Sequence, residues 1–104
     1  MSFDIDQLLK DMTNAVADVV KDDSSSIKDY SRELFDNEKQ SLKELAEARI
    51  RKDIDEEIFN RELAREKKVL EIELLTISIM NKAMAQKATN AALDIFVKAV
   101  KAAL

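Results

Sequence analysis

The sequence predicts an all-α fold, and three observations carry that prediction. Its 104 residues include no glycine and no proline, the two residues on which hairpin turns, bulges and tight loops lean. Ala, Leu, Glu, Lys and Arg are abundant, the composition of long helices with few connections. Apolar residues recur at steps of three and four along most of the chain. We expect a single domain of long amphipathic helices, forming an antiparallel helical hairpin or three-helix unit that is completed by oligomerisation.

The first helix is expected over about 4–21. Asp4 and Gln7 have the spacing of a capping box. Ile5, Leu8, Leu9, Met12, Val16, Val19 and Val20 share one face, with Asp residues opposite. The tract DDSSS, 22–26, ends this helix: its acidic pair opposes the negative end of the helix dipole, and its serines compete for the backbone. Ser26 is then expected to cap the next helix, with Asp29 three residues on.

From Ile27 to Lys68 more than half the residues are charged, with opposite signs four apart at Glu47–Arg51, Arg49–Asp53, Lys52–Glu56 and Glu57–Arg61. Such pairs support a solvated helix by a few tenths of a kcal/mol each. The apolar stripe is thin: Ile27, Tyr30, Leu34, Leu42, Leu45, Ile50, Ile54 and Ile58. A long charged helix from 27 is therefore expected, with a kink or turn near 51–53, where Asp53 and Glu56 could cap a new segment. A second break is possible at 36–41, where Ser41 and Glu44 repeat the capping spacing. Without Gly or Pro to mark a stop, continuity or a kink is expected rather than an open loop.

The segment VLEIELLTISIM, 69–80, admits three readings. As a strand it fails, because the apolar alternation changes parity at Leu74–Leu75. As a membrane span it fails, because the longest uncharged run, Leu74 to Asn81, falls far short of about 20 residues. As the front of a C-terminal helix reaching about 103 it gathers Glu73, Thr76, Lys87, Asn90, Asp94, Lys98 and Lys101 into one polar strip. Leu75, Ile79, Leu93, Val97 and Leu104 lie on one flank. Leu70, Leu74, Ile77, Met84, Ala88, Ala92, Ile95 and Ala99 lie on the other. The first helix can cover one flank, but the thin middle helix cannot cover the second, and an uncovered apolar flank marks an interface. The expected oligomer interface is drawn from both flanks, without Leu104 and with Phe96.

The stretch LTISIMNKAMAQKATNAALDIFVKA, 75–99, resembles the C-terminal helix of type III secretion rod subunits in its small residues and scattered Lys. The resemblance covers a quarter of the chain and is mostly one of composition. The acidic remainder departs from such subunits. What it implies is a role in assembly.

Catalysis is not expected. No Cys and no His are present, which removes thiol nucleophiles, the commonest general base and the commonest transition-metal ligand. The lack of Gly excludes phosphate-cradling and dinucleotide-binding loops. Asp53, Asp55, Glu56 and Glu57 could offer oxygen ligands to a hard cation, but a helix spreads them round its circumference, as a solvated charged face. Met80, Met84 and Phe96 read as core packing rather than a pliable ligand surface. No cofactor or metal is expected. A net charge of −4 and the lack of a basic stripe argue against duplex nucleic acid as a partner. The N-terminus MSFDIDQLLK is no Sec signal, so a cytoplasmic protein, or one exported without a cleaved signal, is expected. The functional expectation is a structural protein that self-associates through its C-terminal helix, as a filament, rod, ring or scaffold subunit. The alternatives are a protein that coats a lipid surface or granule, or a small chaperone or adaptor that covers a partner's amphipathic helix.

Overall fold

Helix α1 (Ile5–Val20) starts where Asp4, in extended backbone, accepts a hydrogen bond from the Gln7 N–H at 3.1 Å. This satisfies one of the free donors of the first turn. The helix ends at Lys21, whose left-handed backbone (φ 56°) lets its N–H donate to the Ala17 carbonyl at 3.0 Å. The computed structural model describes residues 4–21, 25–77 and 80–104. Among them are four further helices and no strand: α2 (Ser25–Asn37), α3 (Lys39–Ile50), α4 (Glu56–Leu74) and α5 (Lys82–Ala103). Asp22 to Ser24, within the expected break, lie outside the described residues. Helix α2 already runs at Ser25, so Ser26 sits inside its first turn and is not its cap.

Between α2 and α3 the chain bends at Glu38 without opening a loop. The Glu38 N–H is shared between the carbonyls of Leu34 and Phe35, at 3.2 and 3.1 Å, and the Leu42 N–H returns to the Glu38 carbonyl at 3.0 Å. The bond ladder thus crosses the bend. Glu38 makes no side-chain cap, and the spacing of Ser41 and Glu44 caps nothing, since α3 already runs at Lys39.

Near 51–53, where the sequence allowed either a kinked continuous helix or a turn, the chain makes a turn. Helix α3 stops in a Schellman motif: the Asp53 N–H reaches the Ala48 carbonyl at 2.8 Å and the Lys52 N–H reaches Arg49 at 3.0 Å. Glycine normally fills the left-handed position of this motif, and here Lys52 fills it at φ 63°. Helix α4 then starts from Asp55, not Asp53, with the Ile58 N–H donating to the Asp55 carboxylate at 2.8 Å. Once the helix stops, the spacing of four no longer pairs Arg49 with Asp53. Arg49 donates to the Ile54 carbonyl at 3.4 Å, and Asp53 lies 3.8 Å from Arg51.

The larger correction concerns 69–103, which is two helices and not one. Helix α4 ends at Leu74, and the Thr76 hydroxyl folds back to donate to the Glu73 carbonyl at 2.6 Å. The Ile77 N–H donates to Leu74 at 3.0 Å, and Met80 to Ile77 at 2.9 Å. Asn81 then caps α5, accepting from the Met84 N–H at 2.8 Å. Thr76 and Ile77 are β-branched and weak in helices, and Asn is among the strongest N-caps.

The size of the molecule reflects these stops. A single helix over 27–103 would extend roughly 115 Å, whereas the longest dimension is 39 Å. Helix α5 packs most extensively on α1, then on α4, and also touches α3; α2 bridges α1 and α4. Phe59 of α4 stacks on Phe96 of α5 with ring centroids 6.2 Å apart and planes 7° from parallel. Small residues on α5, namely Ala85, Ala88, Thr89 and Ala92, are fully buried and let its neighbours approach closely.

The Schellman cap at Lys52 generates a prediction. Lys52→Gly relieves the left-handed backbone of a side chain, and is expected to stabilise the fold by about 0.5–1 kcal/mol, whereas Lys52→Val should destabilise it. The midpoint of urea unfolding measures both.

Candidate functional site

The side chains expected to form an oligomer interface are used mainly inside the protomer. Leu70, Leu74, Ala88, Ala92, Leu93 and Phe96 are buried in the core. Ile77, Met84, Ile95, Val97 and Ala99 are half-buried against it. Leu75 is exposed in the turn after α4. Ile79 lies outside the described residues. Both apolar flanks of the C-terminal segment therefore have neighbours within one chain: α1 provides the larger, and α4, folded back against α5, the other.

The apolar surface left open lies instead on α4. Phe59, Leu63, Leu70 and Leu74, at steps of four, seven and four, turn towards the core. Ile58, Val69 and Ile72 point the other way and are 37, 39 and 66 % exposed. At 100° per residue, Ile58, Arg65, Val69 and Ile72 fall within an arc of about 60°, with Glu62 at its edge. Ile58 was expected on the inward stripe, but Phe59, which that stripe omitted, takes the inward place. Likewise Phe35 of α2 is fully buried while Tyr30 is exposed.

This face forms the α4 wall of a groove of about 630 Å³ that separates α3 from α4. Leu45, Ala48, Ile54, Ile58 and Val69 give it apolar walls, and Ser41, Glu44, Glu62, Arg65 and Glu66 supply its polar groups. A smaller hollow of about 420 Å³ lies between Tyr30, Glu33, Leu34 and Asn37 of α2 and Glu73, Thr76 and Ile77.

Glu66, half-buried in the α3–α4 groove, is the most perturbed group there. Its Oε2 is buried without a hydrogen-bond partner. Burial raises its carboxyl pKa most, and the negative charges of Glu38, Glu62 and Glu73, with a proton-sharing contact to Glu38, raise it further, to about 7. By contrast, a hydrogen bond and ion pair from Lys39 at 2.6 Å hold Asp6 of α1 below the usual carboxylate range. That pair is solvent-exposed and ties α1 to the start of α3.

The acidic run at 53–57 is occupied locally. Asp55 caps α4, Asp53 lies near Arg51, and Glu57 lies 3.9 Å from Arg61. Among the described residues no group of three or more acidic side chains converges as a metal site would require. Nor is any helix among them long and apolar enough to cross a membrane.

Comparison with protein-family models, curated proteins and solved structures finds no match to this chain.

Glu66 makes stability depend on pH in a defined direction. Its folded pKa lies above the ordinary 4.5, so the stability it contributes is full below that value and is lost as pH rises towards about 7. Glu66→Gln keeps the neutral form at every pH. It is expected to raise Tm at pH 8 by several degrees, each kcal/mol being worth about 4–8 °C in a domain of this size. At pH 5 it should change Tm far less. Thermal unfolding at the two pH values measures the difference.

Proposed function

We propose that the chain is a non-enzymatic assembly subunit that self-associates, and that it does so through the outward face of α4. The observation that carries this reading is the line of Ile58, Val69 and Ile72, a β-branched apolar row left open on a helix whose opposite face completes the core. Such a row costs solubility in an isolated protomer, and covering it would recover the free energy of burial. The interface thus moves from the C-terminal helix, where the sequence reading put it, to the preceding helix. The type of assembly, whether filament, rod, ring or scaffold, would follow from how many such faces meet.

A second reading is favoured by one feature, the groove between α3 and α4. Its apolar walls and polar rim fit an amphipathic helix of another protein, the mode of a small adaptor or chaperone. Lipid coating draws less support, because Glu62, Arg65 and Glu73 interleave with the exposed apolar residues rather than forming a basic border.

Light scattering without detergent, over a concentration series, tests the proposal. The mass is expected to rise above the protomer's 11.8 kDa as concentration increases. Val69→Asp should hold it at the protomer mass with Tm nearly unchanged. A wild-type mass that stays at one protomer throughout contradicts self-association.

A further inference from the structure

We infer that the self-association proposed above is a two-fold pairing in which α4 lies antiparallel against α4 of a second copy, centred between Leu63 and Ala64. The inference rests on that reading and adds its geometry. Ile58, Glu62, Arg65, Val69 and Ile72 follow one another at steps of four, three, four and three, the spacing of a coiled-coil seam; the first four also line the groove between α3 and α4, so a partner helix on this seam lies along that groove.

From Ile58 to Val69 the order of chemistry is apolar, acidic, basic, apolar, which complements itself when the direction is reversed: acid meets base and apolar meets apolar. A two-fold axis at its centre therefore sets Ile58 against the partner's Val69 and Glu62 against the partner's Arg65, each contact occurring twice, as an isologous interface requires. Moving the pairing by one heptad in either direction destroys the match. One shift faces Val69 with the partner's Arg65 and Ile72 with the partner's Glu62, and the other sets Ile58 against the partner's Glu62. A single antiparallel register thus brings opposite charges and apolar groups together at once.

The charges are already arranged for this. Within one protomer an Arg65 Nη lies 3.5 Å from Glu62 Oε2, and a guanidinium can hold a second carboxylate through its remaining donors. The pairing would join four charges around the axis. Two contacts oppose it: Ile72 falls against the partner's Asp55, the cap of α4, and Arg61 approaches the partner's Lys68 on a flank, although Arg61 also lies 3.9 Å from Glu57 of its own helix. With two apolar residues per copy meeting apolar partners the contact is small, and the dimer belongs with weak, concentration-dependent interfaces.

Sedimentation equilibrium on the intact chain, with charge exchange at the seam, tests the register. Arg65→Glu sets carboxylates against each other and is expected to weaken dimerisation at least tenfold. The double variant Glu62→Arg with Arg65→Glu restores an opposite pair at every contact, and should return dimerisation to within about threefold of the wild type. Both positions are on the surface, and equal Tm values would show that folding is retained. An oligomer indifferent to Arg65→Glu overturns this pairing and leaves self-association standing. So does a loss that the double variant fails to rescue. A wild-type chain that remains a single protomer at all concentrations overturns both.

Discussion

Burial of the two apolar flanks of α5 within one protomer is the constraint on which the rest of the structure depends. A helix with apolar residues on both sides of a narrow polar strip requires neighbours on two sides. Helix α1 supplies one through Leu8, Leu9, Met12 and Val16. The second comes from the chain segment immediately before α5, which can reach it only by turning back. The reversal between α4 and α5 makes that possible. It sets Lys67 and Asn90 on the walls of one hollow between α4 and α5, and Glu56, Val100 and Lys101 on those of another, and it lets Phe59 stack on Phe96. Without it Leu70 and Leu74 would extend away from the core they now complete.

The same turn decides which surface is left over. With its inner face committed to α5, α4 exposes Ile58, Val69 and Ile72 on the opposite side. The stop at Lys52 adds the second wall by turning α3 back beside α4, which creates the groove and encloses Glu66 among other carboxylates. The fold accepts a raised carboxyl pKa and two left-handed lysines, at positions 21 and 52. These are local costs of building reversals from a chain with no glycine.

Much of the fold was legible in the sequence, and what was not has specific causes. Asp4 with Gln7 marked the start of α1 correctly, because an N-cap depends on local chemistry alone. The turn near 51–53 was legible only as one of two readings, because the usual sign of a Schellman motif is Gly and here a lysine takes the left-handed position. The break at 75–81 carried a signal that periodicity masked. Thr76, Ile77 and Asn81 disfavour helix interior or favour a cap, yet apolar residues on either side of the break align on one helical wheel. That alignment led to the expectation of an interface on the C-terminal helix, where the flanks are in fact covered by α1 and α4. The open row on α4 was legible only once Phe59, rather than Ile58, was known to face inward. The rise in the Glu66 pKa was beyond sequence reasoning, since Glu38 is 28 positions away and is brought near by the α2–α3 bend and the reversal after Ile50.

The fold-back of α5 onto α4 can be measured directly. The chain has no cysteine, so Lys67→Cys with Asn90→Cys would carry a spin-label pair cleanly. Packed helices lie about 8–10 Å apart between axes, so the structure predicts a label separation of about 20 Å or less once the label arms are included. A continuous helix through 67–90 would instead hold the labels about 35 Å apart. A distance distribution centred near the longer value would contradict the account, because α5 would then have lost one of its two intramolecular neighbours.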